Sequence, residues 1–274
     1  MPRFAPRLHV LLASHAPVGL VIRRGPSKSV ATLLWDRRHD TFQLGQWLRG
    51  RIYERRSDLS HDGKFFLYFA MNGKWNTESK GSWTAISVAP YLKAIAFFPK
   101  GDCWNGGGLW TGKNSYWLNS GYGHSTLRTT NLVRNDENYS PVCSFGGECP
   151  GVYYHRLIRD GWTQCEQDQS SRRSSLQIFD KPLGHGWSLR KLAHSQVNAP
   201  EGKGCYWDEH ELHGPNGTMT SFPDWEWAER DENRLVWAEK GILFAAEVRK
   251  RGLGEALELH DFNPMKFQAI EAPY

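Results

Sequence analysis

Nowhere in this chain do about 18 apolar residues run without interruption, which excludes a membrane-spanning helix. The five cysteines (Cys103, Cys143, Cys149, Cys165 and Cys205) contain no Cys-x-x-Cys pair, so they read as scattered reduced thiols, mostly buried. Cys143 and Cys149, which bracket Ser-Phe-Gly-Gly-Glu, form the one pair that a bridge could join if the chain were exported. Export is not expected. The apolar stretch from Leu8 to Val21 is interrupted by His9, His15 and Pro17, and no small-residue cleavage site follows it, so a cytoplasmic protein is the expectation. Helical periodicity is scarce: only Arg251 to Ala256 hints at a helix, and its two glycines favour a single turn. Catalytic signatures are missing as well. There is no Gly-x-Ser-x-Gly elbow, no His-Glu-x-x-His, and no Gly-Lys-Ser/Thr to close a phosphate loop.

What the chain does contain is glycine (27), proline (14) and aromatic residues (13 Trp, 13 Phe, 10 Tyr), which suit short, half-buried strands and tight turns. At 274 residues an all-β fold commonly forms a single domain. Short apolar runs at Val18 to Arg24, Val30 to Asp36 and Phe42 to Leu48 make a first antiparallel unit. Ile52 to Asp58, Lys64 to Ala70 and Trp83 to Val88 make a second, with a polar loop from Asn72 to Ser82. Lys93 to Phe98, Gly108 to Thr111 and Ser115 to Asn119 open a third, and an irregular insertion occupies about 120–150. Strands are expected to resume at Val152 to Ile158, Thr163 to Gln167, Leu176 to Asp180, Ser188 to His194 and Cys205 to Leu212. Four more end the chain, at Trp225 to Glu229, Arg234 to Ala238, Ile242 to Val248 and Ala256 to His260.

One local pattern recurs. Asp62 to Tyr68 and Asp231 to Trp237 have the same spacing, each a polar turn opened by Asp and followed by a strand that carries a large aromatic. Asp62 suits the turn because its carboxylate accepts backbone hydrogen bonds, and Gly63 because it takes a positive φ. About twenty short strands with such a recurrence predict an all-β, β-propeller fold of five blades, with six as the alternative because 150–222 divides ambiguously. Terminal strands would close the ring, with Met265 to Ala272 free to pair beside the first unit. Ser60-His61-Asp62-Gly63-Lys64 before Phe65 to Phe69 resembles the Ser-Pro-Asp-Gly-Lys repeat of TolB-type, WD-repeat-like β-propellers, with His61 in place of Pro; Trp225 to Val248 is a looser copy. That resemblance implies a scaffold and a binding role, and transfers no catalytic residue.

Charge is uneven. Residues 1–56 hold 11 Lys/Arg against 3 Asp/Glu, whereas 201–274 hold 8 against 15. Internal compensation is the preferred explanation, and an anionic partner for Arg23, Arg24, Arg37, Arg38, Arg49, Arg51, Arg55 and Arg56 is the alternative.

Candidate ligand contacts cluster at Gly101 to Trp117, where three consecutive glycines would let a backbone approach a ligand and Asp102, Trp104, Trp110 and Trp117 could face a sugar or a base. Tyr122, His124 and Arg128 extend the candidate surface into the irregular segment, which also holds Arg134, Asp136 and Tyr139. No metal is expected. Asp208 and His210 are the weak candidates, since in a strand they share a face opposite Glu209, Glu211 and His213. For a glycoside hydrolase the carboxylates to test are Asp36, Asp58, Asp102, Asp160 and Asp224. The reading preferred on sequence is a propeller serving as a non-catalytic interaction platform, with no cofactor and another protein as partner. A glycoside hydrolase or a glycan-binding lectin is the alternative, which makes carbohydrate the second partner class and sets nucleic acid aside.

Overall fold

The computed structural model describes residues 4–26, 28–120, 124–136, 145, 148–171 and 174–274. Five sheets follow one another along the chain, and they are the blades of a five-bladed β-propeller. The first comprises β1 (Arg7–Leu12), β2 (Val18–Arg24), β3 (Ser29–Asp36) and β4 (Thr41–Arg49). The second comprises β5 (Arg51–Ile52), β6 (Asp58–Leu59), β7 (Phe65–Met71), β8 (Ser82–Val88) and β9 (Ala94–Pro99). The third is formed by β10 (Gly108–Trp110), β11 (Ser115–Leu118) and β12 (Val133–Arg134), the last pairing parallel to β11. After α1 (Pro150–Arg159), the fourth comprises β13 (Thr163–Ser171), β14 (Ser174–Gly184), β15 (Trp187–Gln196), β16 (Tyr206–His213) and β17 (Met219–Phe222). The fifth comprises β18 (Trp227–Asp231), β19 (Arg234–Glu239), β20 (Ile242–Arg249), β21 (Gly252–Leu253) and β22 (Leu257–Asp261). By internal contacts the chain divides into two compact units, Met1–Phe4 with His9–Arg156 and Met265–Tyr274, and Ala5–Leu8 with Leu157–Pro264.

Strand alternation builds the core of the first unit. Phe66, Tyr68 and Ala70 on one face of β7 pack with Leu11, Leu20, Ile22 and Val30 of the first sheet. Leu67, on the opposite face, packs with Trp110, Tyr116 and Leu118 of the third. One strand thus serves two cores because successive side chains leave it on opposite sides.

The repeated turn has the chemistry its sequence suggests. Asp62 Oδ1 accepts the Ser60 hydroxyl (2.6 Å) and the Lys64 amide (3.1 Å), Ser60 Oγ accepts the Phe65 amide, and Gly63 has φ 76°. These bonds hold the Asp62 carboxyl below its ordinary value against the opposing effect of burial. In the second copy Asp231 pairs with Arg234 at 2.9 Å, and Glu232 takes the left-handed position at φ 54°. A non-glycine residue there carries a steric cost. Glu232→Gly should therefore raise stability by about 0.5–1 kcal/mol, read as a higher urea midpoint at unchanged slope. Unchanged or lower stability would show that the turn is not strained.

Several expectations are corrected. Val152 to Ile158 is not a strand but lies within α1. Pro150 opens the helix, and Gly161 at φ 90° closes it, with its amide and that of Trp162 donating to the carbonyls of Ile158 and Leu157. Every residue from Gly151 to Leu157 is buried, His155 and Arg156 included, and Val-Tyr-Tyr mimics strand composition. The helix and a single five-stranded sheet account for 150–222, which leaves five blades and not six. Lys93 to Phe98 does not open the third sheet. Its strand is β9, which pairs β8 and completes the second. Inside the apolar Leu8 to Val21 stretch lies β1, joined to β2 by a turn in which the Ala13 amide donates to the Val18 carbonyl. Met265–Tyr274 does lie beside the first unit, but without forming a strand.

The first unit carries 20 Lys/Arg against 11 Asp/Glu and the second 14 against 18, so each retains its own sign. Much of the basic front is absorbed locally, by carbonyls and rings more than by carboxylates. Arg23 is buried beside the Gly25 carbonyl and the Trp47 ring, Arg37 donates to the carbonyls of Ala13 and Ala16, and Arg24 meets Glu54 at 3.4 Å. Arg51 and Arg55 lie over Tyr53 and Tyr153, while Arg38 and Arg49 are exposed. The cysteines also depart from expectation: Cys103, Cys165 and Cys205 are exposed free thiols, and Cys149 is a buried one. The Cys143 to Cys149 bridge involves Cys143, which lies outside the described residues.

Candidate functional site

The loop that follows β9 is anchored from below by Arg56, whose side chain is 2 % exposed. Arg56 Nη1 donates to the carbonyls of Cys103 (2.8 Å) and Asn105 (2.5 Å), Nη2 pairs with Glu148 at 3.0 Å, and Nε donates to Cys149 Sγ. Its guanidinium also lies 4.7 Å from the Tyr53 ring centre and 5.1 Å from that of Phe69. Burial pushes the Cys149 thiol up despite the adjacent cation, so at neutral pH Arg56 meets a thiol.

The three glycines answer to this packing. A Cβ on Gly107 would lie 1.8 Å from the Arg56 carbonyl oxygen, one on Gly106 2.4 Å from the Phe69 ring, and one on Gly108 2.0 Å from the Trp117 carbonyl oxygen. The backbone approach that triple glycine permits is therefore to the protein's own chain, in place of the ligand considered on sequence.

Between the two carbonyls held by Arg56 stands Trp104, 60 % exposed. Its amide donates to Asp102 Oδ1 (2.8 Å), Asp102 Oδ2 pairs with Lys100 (2.9 Å), and the Asp102 carbonyl accepts the Ser82 hydroxyl. The loop is thus fixed on both sides of an indole that faces solvent. Trp110, by contrast, is a core residue at 1 % exposure, stacked on Phe65 and edge-on to Tyr116. Trp117 is partly buried and pairs with Leu109. Tyr122 and Tyr139 lie outside the described residues.

His124 reaches the glycine loop, whereas Arg128 lies beside the start of β9. His124 Nε2 lies 2.9 Å from Thr84 Oγ1, which also accepts the Gly107 amide, so Thr84 ties the glycine loop to the irregular segment. Its other ring nitrogen is buried without a hydrogen-bond partner. Burial first, then the charges of Lys100 and Arg134, push the imidazole down to about 4, so it is neutral at physiological pH. Arg134 pairs with Asp136, whose other oxygen accepts the Leu118 amide. Exposed Arg128 donates to the Ala94 carbonyl (2.7 Å), and its backbone bridges Phe97. Lys80 joins the loops from another side: its ammonium donates to Ser125 Oγ and its stem lies 3.6 Å from a Cβ built on Gly101. Sequence reasoning passed over Trp75, which is 51 % exposed and packs on Gly81 of the same loop. It also passed over the anchoring role of Arg56, for which no local signal exists.

The second candidate cluster, in the other unit, has a different character. Asp208 and His210 do share the inward face of β16, with Glu209, Glu211 and His213 on the outer one. What meets them inside is the buried ammonium of Lys191, which donates to His210 Nε2 at 2.9 Å and lies 3.8 Å from Asp208 and 4.8 Å from the Trp162 ring centre. His210 Nδ1 donates to the Trp225 carbonyl. A fixed cation already sits against both weak candidates for a metal. Among the described residues no three His, Cys, Asp or Glu side chains are grouped to hold a metal ion.

The candidate hydrolase carboxylates are each engaged. Asp36 pairs with His39, which holds it below the usual range, and Asp58 accepts the amides of Leu59 and Trp110. Asp160 pairs with Arg159, and Asp224 lies 3.5 Å from Lys240.

Fold and surface together define the class: a β-propeller with aromatic residues displayed on pinned loops. No protein-family model matches the chain, and no curated protein does. Neither comparison supports a TolB-type or WD-repeat assignment. No helix among the described residues is long and apolar enough to cross a membrane.

Proposed function

We propose that this protein is a non-catalytic recognition platform that engages another protein through the loop surface carrying Trp104 and Asp102. The observation that carries this reading is the solvent-facing Trp104, held between two carbonyls that a buried arginine clamps. An exposed indole on a rigid loop costs little ordering entropy when it is covered, the condition under which an aromatic residue becomes a hot spot. Asp102, whose side chain is 39 % exposed and paired with Lys100, supplies a polar contact at the rim. The lectin reading is less well served, because Trp110 is packed in the core. The hydrolase reading is less well served too, because its candidate carboxylates are each engaged by a cation or a backbone amide.

A photo-cross-linking amino acid at position 104, used where the protein naturally works, should give one discrete protein adduct. Trp104→Ala should weaken capture of that partner about thirtyfold or more, the consequence of losing some 2 kcal/mol at a hot spot. Its Tm should stay within roughly 2 °C of the wild type, because a largely exposed side chain is removed. Equal capture by Trp104→Ala, or an adduct that is glycan and not protein, overturns the reading.

A further inference from the structure

Met265–Tyr274 belongs to the first unit although the 108 residues before it, Leu157–Pro264, belong to the second. It makes no strand pairing, and most of its residues are exposed, Phe267 at 65 %. It rests against β4 and the turn from Ala89 to Lys93, and the Lys93 ammonium donates to the Tyr274 carbonyl oxygen. Gln46 on β4 uses both ends of its side chain: Oε1 accepts the amides of Leu92 (2.7 Å) and Lys93 (3.1 Å), and Nε2 donates to the Ile270 carbonyl (2.7 Å). Tyr274 fills the far end, where its hydroxyl accepts the Val88 amide (3.1 Å) and donates to the Lys93 carbonyl (2.7 Å). The Tyr91 ring stands edge-on to that of Tyr274, and the Lys93 ammonium lies 5.4 Å from its centre. At the near end Phe267 meets the Trp47 ring at 6.2 Å.

The floor is tied together by contacts that do not involve the segment. Thr32 Oγ1 donates to the Pro90 carbonyl (2.6 Å), and a Cβ on Gly45 would lie 2.2 Å from that same oxygen, so β4 and the turn from Ala89 to Lys93 are in direct contact. Gln46 is held in its reading position by amides of that turn and does not depend on Ile270 for its orientation.

We propose that this surface is a peptide-recognition groove and that Met265–Tyr274 is its tethered occupant, displaceable by an extended peptide of the same pattern: an aromatic residue seven positions before a tyrosine, with a free carbonyl between. The specificity lies in the two ring sites. The bond from Gln46 reads backbone and accepts any residue there. Few contacts hold the segment, and a short tether replaces affinity with an effective concentration of about millimolar, the regime in which a competitor gains access. This inference does not depend on the role of Trp104, since the groove uses other residues.

The test uses the full chain with a specific protease site inserted between Pro264 and Met265, cut after folding. A fluorescent peptide of the sequence Met265 to Tyr274, with its last carboxyl amidated, is then titrated and read by anisotropy. The cut chain should bind it at least tenfold more tightly than the uncut chain. Peptides with Phe267→Ala or Tyr274→Phe, and cut protein with Gln46→Ala, should each bind at least fivefold more weakly. Circular dichroism and Tm of the cut chain should match those of the uncut one. Equal binding to cut and uncut chains, equal binding of a scrambled peptide, no binding to a folded cut chain, or unfolding on cleavage would each overturn the proposal, the last by showing that the segment is part of the core fold.

Discussion

Arg56→Ala should lower the unfolding free energy by about 3 kcal/mol, read as a shift of the urea midpoint. The guanidinium is nearly inaccessible and serves the Cys103 and Asn105 carbonyls, Glu148 and Cys149 at once, so alanine leaves acceptors from two separate stretches of chain without their donor. Glu148 is 25 % exposed and can rehydrate, which places the cost at the lower end of the range for a broken buried pair. Lysine would restore one charge but not the forked donors, so Arg56→Lys should recover about half. The loss should also reach the surface. With its flanking carbonyls released, Trp104 should rotate more freely, and an Arg56→Ala protein should lose affinity for the partner of Trp104 even at temperatures where it remains folded. A change below about 1 kcal/mol would mean that the loop is held by its glycine packing alone.

Some of this protein is legible in its sequence for a plain reason: the chemistry involved is local. The Ser60 to Phe65 turn closes through bonds that span five residues or fewer, and the alternation of Asp208 and His210 against Glu209 and Glu211 follows from the pleat of one strand. What stays hidden depends on partners distant in the chain. Gly106 and Gly107 read as part of a ligand cradle until Phe69 and Arg56, both well upstream in the chain, are seen to lie against them. That Asp208 and His210 share their face with a buried ammonium follows from the register of β15, which sets Lys191 opposite His210. The helix is a different case, because its end signals were present at Pro150 and Gly161. Its polar side chains His155 and Arg156 are buried, and the run Val-Tyr-Tyr favours a strand by propensity, which masks a helix of only ten residues.

The two copies of the turn place Tyr68 and Trp237 at matching positions, and substitution shows whether that equivalence extends to energy. Trp237 is 6 % exposed and stands inside a run of rings in the second unit, with Phe222 and Trp225 centred 3.9 Å apart, Trp225 and Trp237 4.9 Å, and Trp237 and Phe244 5.6 Å. Phe244 is its direct neighbour across β19 and β20, so the stack ties the sheet to the Phe222–Trp225 turn. Trp237→Ala removes a ring from the middle of that run and leaves a cavity that flat neighbours cannot close, with an expected cost of about 3–5 kcal/mol and a fall in Tm of roughly 10 °C. Trp237→Phe keeps a stacked face and should cost about 1 kcal/mol. Tyr68 works differently: it lies in a mixed aliphatic and aromatic core, and its hydroxyl donates to the Leu92 carbonyl at 2.7 Å. Tyr68→Phe therefore removes a single neutral hydrogen bond, at about 1 kcal/mol plus the cost of the stranded carbonyl, while Tyr68→Ala should approach the Trp237→Ala value. If both alanine variants lose comparable stability, the recurring turn marks the point where each copy fastens its strand into a core; a Trp237→Ala loss below 1 kcal/mol would reduce the recurrence to a shared turn.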